Sequence, residues 1–194
     1  MNSHSSNKNQ FRIIAGKWRS RKLSFPGNVD SLRPTTDRIR ETVFNWLQLQ
    51  LPGARCLDLF AGSGALSFEA CSRQAESVIC LDKSVEATTR IAENCKTLGC
   101  DNMEVITADA LKWLDGTSGL AKFDLVFLDP PFSGDLLNQC ITQLDTGHFL
   151  SQGARIYIES GSPLDSLETP KHWNLLKQKK GGQVYFGVYE SVRQ

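Results

Sequence analysis

The stretch Leu57-Asp58-Leu59-Phe60-Ala61-Gly62-Ser63-Gly64-Ala65-Leu66 decides how this 194-residue chain is read. Apolar residues between Arg55 and Phe60 predict a buried strand, glycines interrupt it, and Gly64 to Arg73 has helical spacing. A glycine turn between a buried strand and a helix is where a doubly wound sheet receives its ligand, beyond the carboxyl ends of its strands. A dinucleotide fingerprint requires a third glycine at position 67, and this chain carries Ser67. With no pyrophosphate to cradle, Gly62 and Gly64 are expected to let the backbone approach a compact adenosine-methionine conjugate, with Phe60 beside it. Asp58 is expected to meet the ammonium end of that conjugate, directly or through water.

Working outward, strand and helix signals alternate. Strands are expected at 77–81, 103–106, 123–128 and 154–159, with helices at 84–98, 110–114 and 135–144. This alternation implies right-handed βαβ crossovers and a mostly parallel sheet covered on both faces. Two further strands, 173–179 and 183–189, flank Gly181-Gly182 and predict an antiparallel hairpin. Upstream, 11–25 contains short extended runs around Gly16, read as a basic β-hairpin. Ile39, Val43, Trp46 and Leu47 recur at helical spacing after Thr35 or Thr36 as N-cap, and Pro52-Gly53 closes that helix. The expected fold class is α/β: a Rossmann-like class I methyltransferase with a mostly parallel, seven-stranded, doubly wound sheet. It ends in an antiparallel hairpin and is preceded by a small N-terminal β-hairpin and helix.

Three carboxylates fall at successive strand ends. Asp82, followed by Lys83, lies twenty residues after Gly62, where an acid accepts from both ribose hydroxyls. Asp109-Ala110 follows the next strand and is placed to meet an adenine edge, although Asp109 alone is also an ordinary helix cap. About 70 residues after the glycine loop comes Asp129-Pro130-Pro131-Phe132, at the end of an apolar strand. The exocyclic amine of a nucleobase is a poor nucleophile because its lone pair is delocalised into the ring. The Asp129 carboxylate and the Pro130 carbonyl can accept from that NH₂ and favour a pyramidal nitrogen, Pro131 stiffens the turn, and Phe132 can stack on a splayed base. A sulfonium donor is already activated, so alignment supplies much of the effect and no metal is expected.

The chain carries a net charge of only +1. Between Lys8 and Arg40, nine Lys/Arg face two Asp, an excess of seven that leaves the remainder at −6. Arg12, Lys17, Arg19, Arg21 and Lys22 interleave with Trp18 and with Phe11 and Phe25, and Arg33, Arg38 and Arg40 follow. As a group they are expected to bind RNA. Six cysteines are scattered without a C-x-x-C pair and read as buried small residues in a reducing compartment. No stretch reaches the length of a bilayer span, so a soluble cytoplasmic protein is expected. Residues 1–10 are read as a disordered tail, 11–50 as the basic hairpin and linking helix, and 51–194 as an S-adenosylmethionine-dependent methyltransferase domain.

Four stretches resemble the bacterial RsmD family. They are Arg12-Ile13-Ile14-Ala15-Gly16-Lys17-Trp18-Arg19, the run from Leu32-Arg33-Pro34-Thr35-Thr36-Asp37-Arg38 to Leu47, the glycine loop, and Asp129-Pro130-Pro131-Phe132. The resemblance covers about Arg12 to Glu190. It implies methylation of the N2 amine of one guanine in 16S rRNA, with S-adenosyl-L-methionine as cofactor and a small-subunit (30S) ribosomal particle as partner, by a monomer. The alternatives are another nucleobase or protein-amide N-methyltransferase, or a catalytically idle RNA-binding assembly factor.

Overall fold

Parallel pairing of buried strands organises the chain. The computed structural model describes residues 9–26, 36–117, 122–132 and 135–192. Strands β1 (Gln10–Arg12) and β2 (Lys22–Ser24) form an antiparallel hairpin, and helix α1 (Asp37–Trp46) follows. The body then runs β3 (Arg55–Asp58), α2 (Ala65–Ser72), β4 (Ser77–Asp82), α3 (Val85–Leu98), β5 (Met103–Thr107) and α4 (Ala110–Gly116). It continues with β6 (Phe123–Leu128), α5 (Leu136–Thr146), β7 (Leu150–Ser160), β8 (Trp173–Gly181) and β9 (Val184–Ser191).

Seven strands make one sheet in the order β5-β4-β3-β6-β7-β9-β8. Strands β3 to β7 pair in parallel, and β9 and then β8 add antiparallel. Strand order therefore reverses between β3 and β6, the switch point at which such sheets bind ligands. Apolar residues cover both faces: Phe44, Phe68, Phe127 and Tyr157 belong to one core cluster, and Leu114, Val126, Ile141 and Ile156 to the other. Every residue of α2 is buried, so this helix is packed on all sides.

Local chemistry sets the boundaries. Thr36 caps α1, its hydroxyl accepting from the Ile39 N–H, and Ser84 caps α3 through the Ala87 N–H. Strand β3 stops at Asp58 rather than Phe60, and past it the chain turns into the glycine loop with the Ala61 N–H donating to the Leu81 carbonyl of β4 at 2.8 Å. Strand β7 begins at Leu150, four residues before the expected start. Gly153 sits at φ +75° beside a register shift opposite Phe123–Leu125, and the strand bends there without ending.

The N-terminal hairpin is built into the core. Phe11, Ile13, Trp18, Leu23 and Phe25 are all buried. Buried Glu69 of α2 accepts the N–H groups of Ile14 and Ala15 at 2.7 and 3.0 Å, and the Arg73 Nε at 2.7 Å. Ser72 accepts the Lys17 N–H through its carbonyl and the Trp18 N–H through its hydroxyl, which itself donates to the Ala15 carbonyl. Gly16 sits at φ +82°, and a Cβ there would lie 1.8 Å from the Ser72 carbonyl oxygen, so only glycine allows this approach. The expected tail of residues 1–10 needs correction at its end. Gln10 opens β1 and the Asn9 carbonyl accepts from the Phe25 N–H, while 1–8 lie outside the described residues.

Candidate active site

The carboxyl ends of the parallel strands open into a cleft of about 1310 Å³. Its walls take Phe60 and Gly62 from the loop after β3, Asp82 from the end of β4 with Lys83 just after it, and Asp109 and Ala110 from the start of α4. Asp129, Pro130, Pro131 and Phe132 come from the turn after β6. The glycine loop and the Asp-Pro-Pro-Phe turn, 70 residues apart in sequence, therefore face one space.

Asp82 closes the glycine loop. One carboxylate oxygen accepts from the Gly62 N–H and the other from the Ser84 N–H, both at 2.8 Å. It thereby fixes the loop to the first turn of α3, and a carboxylate retains lone pairs for further donors. Asp109 is the N-cap of α4, accepting from the Lys112 N–H at 3.1 Å, and is exposed along the cleft. The cap and a ligand-facing position are thus compatible in one residue.

Asp58 and Gly64 stand behind the wall rather than on it. Gly64 has φ +78° as the N-cap of α2, and a Cβ there would meet Ile91 and Phe68 at 3.0 and 3.1 Å. Its missing side chain makes room for this packing against the core. Asp58 is buried, and its Oδ2 accepts from the Ser67 hydroxyl at 2.6 Å. Ser67, which breaks the dinucleotide fingerprint, is thus the partner of this acid. Burial pushes the Asp58 carboxyl up to about 7, against the opposing hydrogen bonds of Ser67 and the backbone. Its Oδ1 is buried with no hydrogen-bond partner. A cationic group above the loop, or a water leading to one, fits this orphaned oxygen, which is the observation that makes the site suit the ammonium end of S-adenosylmethionine.

On the acceptor side, Asp129 is partly buried and Pro130 buried, while the Phe132 ring is 57% exposed and lies over Gly161. A Cβ on Gly161 would come within 3.3 Å of that ring. The exposed flat face leaves a surface on which a base can stack.

The expected RNA-binding residues separate. Arg12, Lys17, Arg19, Arg21, Lys22 and Arg38 are exposed, and of these Arg38 lines the cleft. Arg33 lies outside the described residues. Arg40 is 0% exposed: its Nη2 donates to the Arg12 carbonyl and to Asp37, and its guanidinium sits over the Phe11 ring. That corrects its reading as an RNA contact; it ties α1 to the hairpin. Trp18, at 7% exposure, is an anchor of the hairpin rather than a stacking platform, with Lys17 Nζ 5.0 Å from its ring centroid. The Lys17 loop docks on the last residue of α2, whose other end carries the glycine loop, so an eight-residue helix of about 12 Å separates the two.

Sequence reasoning missed four of the residues at this cleft. Thr42 on α1, Glu159 on β7, and Lys179 and Lys180 on β8 all line the cleft. The lysines were visible as Lys177-Gln178-Lys179-Lys180 before the glycine turn, but only the sheet order brings that hairpin to the mouth. Trp46 stacks on Phe186, and a Cβ on Gly181 would meet Ile39 at 3.0 Å, so the hairpin tip rests on α1. Among the described residues no group of His, Cys, Asp or Glu could hold a metal ion, and no helix is long and apolar enough to cross a membrane.

A doubly wound sheet with an antiparallel final hairpin, a glycine loop and an Asp-Pro-Pro-Phe turn at its switch point defines the Rossmann-like methyltransferase class. A methyltransferase structure from Escherichia coli matches with a TM-score of 0.87 at 40% identity, over 96% of this chain and all of that one. The chain belongs to the RsmD family, whose model, described as Conserved hypothetical protein 95, matches residues 11–190. A relative from Haemophilus influenzae, named ribosomal RNA small subunit methyltransferase D, is 43% identical over 95% of both chains. Its namesake from Escherichia coli K12 is 40% identical over 97% of this chain and 94% of its own. At 15% identity, a SAM-dependent methyltransferase from Streptococcus mutans shares the fold with a TM-score of 0.71, over 94% of this chain and 55% of that one.

Proposed function

We propose that this chain is a monomeric, metal-independent enzyme that methylates the N2 amine of a guanine in 16S rRNA, within a small-subunit particle in the cytoplasm. S-adenosylmethionine would be held by Phe60, Gly62, Asp82, Lys83, Asp109 and Ala110, with Asp58 behind the loop, and when bound it supplies an electrophilic sulfonium methyl. The observation that carries this reading is the shared cleft of the glycine loop and the Asp-Pro-Pro-Phe turn.

The work of the chain's own residues is positional and electrostatic. The Asp129 carboxylate and Pro130 carbonyl accept from the amine, drawing its lone pair out of conjugation with the ring. Pro131 removes an N–H and stiffens the turn, and Phe132 holds the splayed base by stacking. Buried Pro130 and partly buried Asp129 act in a region of reduced dielectric, where such hydrogen bonds are stronger. Arg38, Lys83, Lys179 and Lys180 at the rim favour a polyanion, and the exposed basic residues of the hairpin module extend that field.

Asp129→Ala tests the reading. Methyl transfer to rRNA from cells lacking the protein should fall by about 10²–10³ while RNA binding is retained. A variant that transfers at the wild-type rate, or an rRNA modification map unchanged by loss of the protein, refutes it.

A further inference from the structure

The carboxyl ends of β6 and β7 bring a second carboxylate to the methyl-acceptor side. Leu128 pairs with Ile158 in the parallel ladder, so Asp129, the residue just after β6, and Glu159 of β7 follow a paired position on strands that lie about 4.8 Å apart. Two residues earlier, the paired Phe127 and Tyr157 meet edge to face with ring centroids 6.3 Å apart. Side-chain alternation returns Asp129 and Glu159 to that same side, and both line the cleft. Glu159 is only 3% exposed, and its Oε1 accepts from the Tyr157 hydroxyl at 2.6 Å. Burial, then the charges of Glu159 and Asp129, raise the Tyr157 pKa well above its ordinary value, so the phenol remains a donor and fixes the carboxylate.

Neighbouring acidic acceptors repel one another, and a base edge with adjacent N–H donors relieves that repulsion. Guanine has such an edge: its ring N1–H stands next to its N2 amine. Adenine and cytosine place a bare ring nitrogen, an acceptor, next to their amines, and it would face a carboxylate lone pair. Sites built around a buried hydrogen bond reject analogues that lack it far more strongly than apolar pockets reject a wrong shape.

We propose that Glu159 selects guanine by accepting its ring N1–H while Asp129 and Pro130 hold the neighbouring amine, with Tyr157 as the positioning residue for Glu159. The inference rests on the function proposed above and names what reads the base. It is tested with small-subunit particles rebuilt on rRNA whose mapped target position holds either guanine or 2-aminopurine, which keeps the 2-amine but lacks the N1–H. For the wild type, kcat/KM should favour guanine by about 100-fold or more. In Glu159→Gln, whose amide can donate to the bare ring nitrogen, the ratio should fall to within about fivefold of unity. An unchanged ratio in a variant that melts like the wild type overturns the proposal. Should Glu159→Gln not fold, Tyr157→Phe is read by the same ratio: a severalfold fall supports the role of Glu159, and no change overturns it. If the wild type methylates neither RNA but modifies another base or amine, the proposed function itself fails, and the selection of guanine fails with it.

Discussion

Replacing Asp58 by Asn should remove a pH-dependent weakness from the ligand-free protein. Burial raises this carboxyl to about 7 in the folded chain, whereas an unfolded Asp titrates near ~3.9. Between those pH values the folded state holds a proton that the unfolded state has released, so stability falls as pH rises through the window and levels off above pH 7. At about 1.36 kcal/mol per unit, a rise of roughly three units costs about 4 kcal/mol in total, with about 2–3 kcal/mol of it between pH 5 and 8. Asp58→Asn keeps an acceptor for the Ser67 hydroxyl and does not titrate. For a chain of this size, the melting-temperature gap between variant and wild type should therefore widen by about 5–10 °C from pH 5 to 8. Thermal melts of both proteins at pH 5, 6, 7 and 8, without added ligand, measure it directly. Parallel curves would refute the account of Asp58 as a buried acid with an orphaned oxygen. Under the proposed function, added S-adenosylmethionine narrows the gap, since a nearby cation favours the carboxylate.

Other perturbations reach different parts of the molecule. Gly16→Ala pushes a Cβ into the Ser72 carbonyl at positive φ and should cost about 3 kcal/mol or more in a urea titration; a loss under about 1 kcal/mol would contradict the docking geometry. Arg40→Ala should lower stability by about 2–4 kcal/mol through lost packing and an unpaired Arg12 carbonyl. In filter binding at a pH and temperature where the variant is folded, its RNA affinity should match the wild type. Lys177→Ala, Lys179→Ala and Lys180→Ala combined should reduce the slope of log affinity against log salt by about 2 for single-stranded RNA, at about 0.7 per phosphate contact. An unchanged slope would remove the β8 hairpin from the RNA path.

Much of the molecule was legible from residues alone because its elements carry local signals. The buried strand before Gly62, the cap at Thr36, and the apolar run into Asp129 each mark themselves within a few positions. Burial of charge did not mark itself. Arg40 belongs to a basic series in sequence, and only the packing of Phe11 beneath it reveals a core residue. Gly64 likewise shares a motif with Gly62, yet its neighbours Ile91 and Phe68 come from α3 and from a later turn of α2. Glu159 and the Lys177–Lys180 run were illegible as site residues for a topological reason. Their place at the cleft depends on β7 pairing with β6, and on β9 and β8 adding in reverse direction.

The clasp between residues 9–26 and the body has a bearing on biosynthesis. Ile14, Ala15 and Trp18 find their partners 54 or 55 residues later, and Ser24 finds Asn94 70 residues later. At translation rates of about 5–20 residues per second, this arginine-rich segment waits some seconds for α2 and α3 to emerge. During that interval its aromatic residues Phe11, Trp18 and Phe25 have no native surface to cover them, and only the interleaved charges keep the segment in water until that surface emerges.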